Sequence, residues 1–396
     1  MTRLSTVLER IDVRQPGADL PLLSVSQTRG VLRRSELSDK PPRAESLDAY
    51  KVVRCGDIVF NKMSIRAGAL GVASEDGLAT YHYEVMRPVN GADARFLVYL
   101  MKSDWLIGEL IARERGIGAG DTSASVRTTE VPFKILRTIE AHLPSPAAQS
   151  AIADYLDRET ARIDTLIAKQ EQLIATLRER RQRTLDQSIV SSSVQAMRLS
   201  RIAQITDCLH VTAEFVDDNT YPVASIQECQ GPVVDLTHSR NTTQEYFNLL
   251  RSGGRVPRPH DLLFIRNVSV GLVSRVTDEV PDFAVGQETV LIRPRGGVDS
   301  RFLRHSFMST AVREQINLAM IGSTFRRLNV SALAALRLPS PTLEQQRLIA
   351  DALDQSLARI DTLIAKAERF IELSKERRAA LITAAVTGQL EIPSET

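Results

Sequence analysis

The chain has 396 residues, enough for two or three domains of roughly 150 residues, and 43% hydrophobic with 25% charged residues is ordinary globular composition. Fifty Lys and Arg against 48 Asp and Glu leave a formal charge of +2, which excludes a polycation that grips nucleic acid by bulk charge alone. No uncharged apolar run reaches the roughly 18 to 20 residues of a membrane span, the N-terminus is charged and lacks an apolar signal core, and three cysteines without a CxxC pair point to a reducing cytoplasm rather than to disulfides or structural zinc.

Residues 1–143 read as a first α+β globular unit. Short β-like runs at 50–53, 58–60 and 70–73 are punctuated by Gly, Asp and Pro, and a helical stretch follows at 95–114. Two loops set a cation among small polar residues, Asn61-Lys62-Met63-Ser64-Ile65-Arg66 and Thr122-Ser123-Ala124-Ser125-Val126-Arg127. Lys62, Ser64, Arg66, Thr122, Ser123 and Arg127 are therefore candidate DNA contacts, because such side chains meet phosphates and base edges. Just before the second loop, Gly116-Ile117-Gly118-Ala119-Gly120-Asp121 has the spacing of a cofactor loop, but it follows a charged helical stretch instead of a strand and reads as a plain loop.

Residues 144–199 are a helical spacer. Leu143-Pro144-Ser145-Pro146 supplies a capping Ser and a Pro suited to the first helical position. Apolar residues then recur at Ile152, Leu156, Ile163, Leu166, Leu173 and Leu177, a heptad seam that predicts about 40 residues of helix, about 60 Å long. Ser191-Ser192-Ser193 reads as the linker that leaves it.

From residue 200 the chain repeats its plan. Residues 200–337 form a second α+β unit with β-like runs at 262–265, 270–273 and 290–292 and a helical stretch at 300–319. Gly56-Asp57-Ile58-Val59-Phe60 returns as His260-Asp261-Leu262-Leu263-Phe264, and Arg87-Pro88 as Arg293-Pro294. All 15 basic residues of this unit are Arg, whose fork matches guanine or phosphate. The equivalent loop clusters make Arg266, Asn267, Ser269, Ser323, Thr324, Arg326 and Arg327 candidate DNA contacts.

Residues 338–396 form the second spacer. Residues 349–366 repeat residues 152–169 at 14 of 18 positions, after the matching phrase Leu338-Pro339-Ser340-Pro341. Its seam runs through Ile349, Leu353, Ile360, Leu363, Phe370 and Leu381, and Gly388 is a C-cap candidate. Two matching seams in one chain predict an intramolecular antiparallel coiled coil and a pseudo-two-fold repeat. Outer positions Asp154, Asp157, Arg162 and Asp164 recur as Asp351, Asp354, Arg359 and Asp361, which reads as a second surface that meets one kind of partner twice. Basic patches at Arg180-Arg181 and Arg377-Arg378 follow each seam.

Catalytic motifs are wanting. Pro281-Asp282 followed by Glu288 lacks the Lys of a metal-dependent nuclease, no phosphate loop, nucleophile elbow or zinc helix occurs, and the six His residues are unpaired at ligand spacing. The reading is a binding protein with no metal of its own.

The layout resembles the DNA specificity subunit of a type I restriction-modification system, over essentially the whole chain. Its carriers are Leu-Pro-x-Pro leading into Glu344-Gln345-Gln346-xx-Ile349-Ala350-xx-Leu353-Asp354, then Arg359-Ile360-Asp361, the closing Thr387-Gly388-Gln389-Leu390, and the recognition-domain signature Gly56 to Met63. The resemblance implies a chain without catalytic activity. Each globular unit would read one half of a bipartite double-stranded DNA site, and the paired helices would fix the gap and dock two adenine methyltransferase subunits. An ATP-driven restriction subunit can join such a complex, and S-adenosylmethionine, Mg²⁺ and ATP belong to those partners. Glu344, Gln345, Arg162, Arg359, Arg180, Arg181, Arg377 and Arg378 are the expected partner contacts. The first copy has Ala147-Ala148-Gln149 where the second has Thr342-Leu343-Glu344-Gln345-Gln346, so the first helix start lacks the Glu-Gln signature. The alternative is a coiled-coil scaffold whose globular ends bind proteins, which the near-neutral charge favours.

Overall fold

The computed structural model describes residues 1–38, 47–113, 133–191, 195–217, 220–321 and 326–392. The Gly116–Asp121 loop, the candidates Thr122, Ser123, Arg127, Ser323 and Thr324, and Ser192 and Ser193 of the expected linker lie outside the described residues. The chain divides into two compact units: unit 1 is Met1–Glu171 with Arg369–Thr396, and unit 2 is Gln172–Glu368.

In chain order, the elements used below are β1 (Leu8–Ile11), β2 (Ile58–Asn61), β3 (Leu70–Val72), β4 (Tyr83–Pro88), α1 (Ala94–Lys102), α2 (Pro146–Ser191), β5 (Ala203–Asp207), β6 (Leu262–Ile265), β7 (Val273–Arg275), β8 (Thr289–Pro294), α3 (Ser300–Met308) and α4 (Leu343–Val386). Unit 1 is built on an antiparallel sheet ordered β1-β4-β2-β3, and unit 2 on its counterpart β5-β8-β6-β7. A second four-stranded sheet lies in each unit and contains one parallel pair, Leu22–Ser26 with Gly77–Ala79 and Pro222–Ala224 with Ala284–Val285.

The central strands are apolar throughout because both faces are covered. Ile58 and Phe60 enter one core with Phe96, Leu97 and Leu100 of α1, while Val59, one step on, enters the core of the second sheet. Leu262 and Phe264 pack with Leu303 and Phe307 of α3, and Leu263 and Ile265 face the other way. The expected helical stretches 95–114 and 300–319 each divide in two, at Ser103 and Ser309, which adopt extended ψ of 145° and 148°. The Ser103 hydroxyl caps the next segment at the Leu106 N–H.

The Asp of the repeated signature is a fixed point of each sheet. Asp57 accepts the Arg54 N–H at 2.9 Å and the fork of Arg87 at 2.8 and 3.0 Å. Asp261 accepts the Arg258 N–H at 2.9 Å and the fork of Arg293 at 2.9 and 2.7 Å. Both carboxylates are buried, and their hydrogen bonds hold the two guanidinium groups more basic than usual.

The two long helices have 46 and 44 residues, or about 65 to 70 Å each at 1.5 Å per residue. In unit 1 the start of α2 packs on the end of α4 through Ala153, Leu156, Ile382, Ala385 and Val386, with Asp164 accepting from Arg378 at 2.9 Å. In unit 2 the remaining segments run antiparallel, shown by Arg181 on Asp361 at 2.7 and 3.2 Å and Arg178 on Glu368 at 3.0 Å.

The seam differs from the expected one at four positions. Leu166, Leu173, Leu363 and Phe370 are 39%, 44%, 51% and 40% exposed, while the buried stripe passes through Ile163, Ile174 and Leu177 and through Ile360, Ala367 and Ile371. Strict four-three alternation from Ile163 reaches Ile167, Gln170 and Ile174, so a step of three to Leu166 leaves the stripe.

The copies also register differently at their starts. Ser145 caps α2 with Pro146 as its first residue, as expected, but α4 is capped by Thr342, not Ser340. Thr342 and Gln345 exchange bonds, Gln345 N–H to Thr342 Oγ1 at 3.3 Å and Thr342 N–H to Gln345 Oε1 at 3.1 Å, a capping box. Gln149 and Gln346 are equivalent: they accept the N–H of Asp93 and Asp299 at 3.0 and 2.8 Å and donate to the Pro144 and Pro341 carbonyls at 2.9 and 2.8 Å. The first copy is therefore not two residues short, and Pro144 matches Pro341. Gly388 ends the second helix with φ of 75°, the Gln389 N–H returning to Ala384 O at 2.9 Å.

Candidate nucleic-acid interface

One end of each main sheet gathers those loop residues singled out in the sequence that lie among the described residues. In unit 1, Asn61 at the end of β2 pairs with Tyr83 at the start of β4, so the turn after β2 lies beside Tyr81 and His82. The Asn61 side chain accepts the Met63 N–H at 3.0 Å and shapes that turn. Lys62 and Ser64 are half-buried, Met63 is 51% exposed, and Arg66 lies in the short helical turn Ile65–Ala67. Tyr81 is 49% exposed, its ring 4.0 Å from that of His82.

In unit 2, Ile265 pairs with Thr289, the Arg266 N–H donates to Glu288 O at 3.0 Å, and the Leu328 N–H donates to Arg266 O at 2.9 Å. Asn267 bridges to Arg327. A cleft of about 380 Å³ results, lined by His210, Arg266, Asn267, Gln287, Glu288 and Arg327. Arg326 and Arg327 are exposed, and no described residue binds the Arg327 guanidinium. Ser269 turns back onto Asn267, its N–H donating to Asn267 O at 2.6 Å. Between them Val268 is 76% exposed with φ of 59°, a left-handed conformation that costs a β-branched residue energy.

Arg266 is held within the chain. Its guanidinium lies 3.4 Å from Asp207 Oδ2 and 3.0 Å from His210 Nε2. Asp207, Cys208 and His210 bring three ligand-type atoms within 4.8 Å of one another, but the cation already stands on two of them. Burial first and Asp207 second push the Cys208 thiol up to about 12, and the thiol donates to the Gln287 carbonyl. A thiolate ligand is disfavoured there, so the cluster is better suited to bracing the loop than to holding a metal.

Sequence reasoning missed Tyr81, His82, His210 and Gln287, which come from loops far apart in sequence, and weighed Glu288 only as an acid of the rejected nuclease motif. It also missed a cavity of about 780 Å³ beside the cleft, which shares Gln287 and Glu288 and in which Arg240 and Phe215 line the wall. The Arg240 guanidinium stands 3.7 Å from the Phe215 ring centroid, a flat charged platform.

The acidic outer positions of the helices fasten each sheet unit to its spacer. Arg95 of α1 reaches Asp154 and Asp157, both at 2.8 Å, and Tyr99 donates to Asp157 at 2.7 Å. Arg301 of α3 reaches Asp351 at 2.6 Å and Asp354 at 3.3 Å, and His305 Nε2 meets Asp354 at 2.7 Å. Burial pushes the Tyr99 hydroxyl up to about 12. These four carboxylates are thus engaged inside the chain, contrary to their reading as an outer partner surface. Among the expected partner contacts, Arg181 and Arg378 are ion-paired to Asp361 and Asp164, Gln345 belongs to the capping box, and Glu344, Arg162, Arg359, Arg180 and Arg377 are exposed.

The family described as the type I restriction modification DNA specificity domain matches residues 192–372. The specificity subunit of the StySPI type I restriction enzyme of Salmonella potsdam is 28% identical over 99 residues, and that of EcoKI of Escherichia coli strain K12 is 29% identical over 100. Each match covers 25% of this chain, and together they span only about a fifth of the relatives' length, 21% and 22%. A chain from a structure on complex assembly and conformational transition of the type I R-M system aligns at TM-score 0.76 and 18% identity, covering 98% of this chain and 97% of that one. The HsdS subunit of Thermoanaerobacter tengcongensis aligns at TM-score 0.58 and 18% identity over 98% and 96%. At such identity the alignments speak for the fold. Residues 192–372 thus match the type I restriction modification DNA specificity domain, and the chain shares the fold of the HsdS structures along its length.

Proposed function

We propose that this protein is the non-catalytic DNA-recognition subunit of a type I restriction-modification complex. Residues 1–143 and 200–337 each read one half of a bipartite, asymmetric site in double-stranded DNA. The paired spacers set the gap and dock two adenine methyltransferase subunits. A restriction subunit with ATP-driven activity can complete the complex in the cytoplasm. S-adenosylmethionine, Mg²⁺ and ATP act in those partners.

The observation that carries this reading is the repetition of one edge on two scaffolds with different side chains. The supports recur, Asp57 with Arg87 and Asp261 with Arg293, while the edge holds Lys62, Met63, Tyr81 and His82 in one unit and Asn267, Gln287, Glu288 and Arg327 in the other. Repeated supports with divergent edges are what two readers of unlike half-sites need, each base pair contributing about 1 to 3 kcal/mol of selectivity. Linking the readers adds a high effective concentration for the second contact.

Single-molecule methylome sequencing of the host with and without the gene tests the proposal. Loss of one bipartite N6-methyladenine motif on deletion is the expected result. An unchanged methylome together with failure to co-purify with a methyltransferase would instead favour the protein-binding scaffold.

A further inference from the structure

The two residues that lead into the last strand of the main sheet occupy the same place in each unit. Tyr81 and His82 precede β4, whose first residue pairs with Asn61; Gln287 and Glu288 precede β8, whose first residue pairs with Ile265. In both strands the fifth residue is the Arg that forks onto the buried Asp, so the alignment of the pairs is fixed by structure. The chemistry at the two places is opposite. Unit 1 presents two adjacent, mutually tilted rings, and unit 2 presents an amide and a carboxylate.

Glu288 is unusual for a surface that meets a polyanion. Its side chain lines the cleft with Asn267 and Arg327 and also lines the larger cavity, and no described residue hydrogen-bonds or ion-pairs with its carboxylate. Beside it, the Gln287 amide donates to Thr212 Oγ1 at 3.2 Å, which orients the side chain. A carboxylate near phosphates is repelled unless it accepts a hydrogen bond. In the major groove the donors available to it are the exocyclic amines of cytosine N4 and adenine N6, while guanine O6 and thymine O4 would set an acceptor against it.

We propose that Glu288 selects an amino-bearing base, cytosine or adenine, at one position of the half-site read by unit 2. Tyr81 and His82 hold the matching position in unit 1 and exert no such selection. This assignment rests on the DNA-reading function proposed above and names the determinant within it.

The test uses the full chain in complex with its methyltransferase and duplexes that carry each of the four bases at every half-site position. For the unsubstituted protein we expect on the order of 10- to 100-fold preference for cytosine or adenine at the position concerned. Glu288→Gln, which can donate as well as accept, and Glu288→Ala should reduce that preference to about 2-fold or less while preferences elsewhere stay intact. Tyr81→Ala should change only the other half-site. If both Glu288 variants keep every preference, or lose binding equally for all sequences, the assignment is wrong although the reading function stands. If the unsubstituted complex has no sequence preference at all, the reading function itself fails and this assignment falls with it.

Discussion

Gln346 accepts the N–H of Asp299 at 2.8 Å and donates to the Pro341 carbonyl at 2.8 Å, although it is only 2% exposed. Gln149 does the same for Asp93 and Pro144. One buried amide thus joins the start of each spacer to the Asp that caps α1 or α3. Replacing Gln346 with Leu leaves a buried N–H and a carbonyl without partners, at a cost of about 1 to 3 kcal/mol each in the unfavourable limit. We expect Gln346→Leu to lower the stability of unit 2 by about 2 kcal/mol and to expose the Asp299 amide to hydrogen exchange. Unchanged protection at Asp299 would contradict this role.

Acid should loosen both fastenings. Burial alone would raise the Asp354 carboxyl, but the His305 hydrogen bond and the charges of His305, Arg301 and Arg275 hold it below the ordinary carboxylate range. Asp93 is held low in the same sense, burial being outweighed by the Phe96 N–H, Ser150 and Arg95. A carboxyl depressed in the folded state stabilises it fully above its unfolded pKa of about 4, and that contribution disappears as pH falls through the folded value. Denaturation midpoints should therefore drop as the pH falls below about 4, and Asp354→Asn should flatten that part of the profile. An identical acid slope in the variant would show that the stabilisation lies elsewhere.

Thiol chemistry should separate the three cysteines. Cys55 is exposed, whereas burial pushes the Cys208 and Cys229 thiols up to about 12. At pH 8 Cys55 alone of the three is accessible, and the two buried thiols are held protonated. We expect one equivalent of maleimide to react with the native protein and three with the unfolded chain. A second fast equivalent would mean that the Cys208 loop opens readily.

The exposed leucines of the spacers give a separate test of methyltransferase docking. Leu166 and Leu363 occupy identical positions of the repeat, point away from the buried stripe and are 39% and 51% exposed. Their repetition at matching places makes the two leucines the side chains to substitute in testing the docking proposed above. We expect Leu166→Glu and Leu363→Glu to change stability by less than about 0.5 kcal/mol and to cut methyltransferase capture by about 10-fold each. Undiminished capture by the double variant would place docking elsewhere.

The sequence made the duplication legible because the spacers share an 18-residue stretch matching at 14 positions, and the central strands because their apolar runs are short and bounded. It misled where two alignments compete: Leu143-Pro144-Ser145-Pro146 resembles Leu338-Pro339-Ser340-Pro341, yet the amides of Gln149 and Gln346 set Pro144 against Pro341. Leu166 reads as seam because leucine suits one, and only the helix opposite decides that Ile167 is nearer the stripe. The acids Asp154 and Asp351 read as outer because nothing local announces Arg95 and Arg301. Tyr81 and His82 in unit 1, and His210 and Gln287 in unit 2, were invisible for the same reason, since sheet closure alone brings each pair to the edge of its own unit.

The nine residues 161–169 and 358–366 are identical, so the chain can be cut and rejoined at matching points of the repeat without interrupting its sequence. A deletion between them joins residues 1–161 to residues 359–396, which retains one recognition unit and a single long helix that carries both Asp361 and Arg378. That helix is its own complement: two copies laid antiparallel restore the Asp–Arg pair twice, in the way that Asp164 takes Arg378 and Asp361 takes Arg181. Such a half-length product should sediment as a dimer, and under the function proposed above its two identical heads would read a palindrome in place of two unlike halves. Such a deletion would thereby create a new sequence preference without a single altered reading residue.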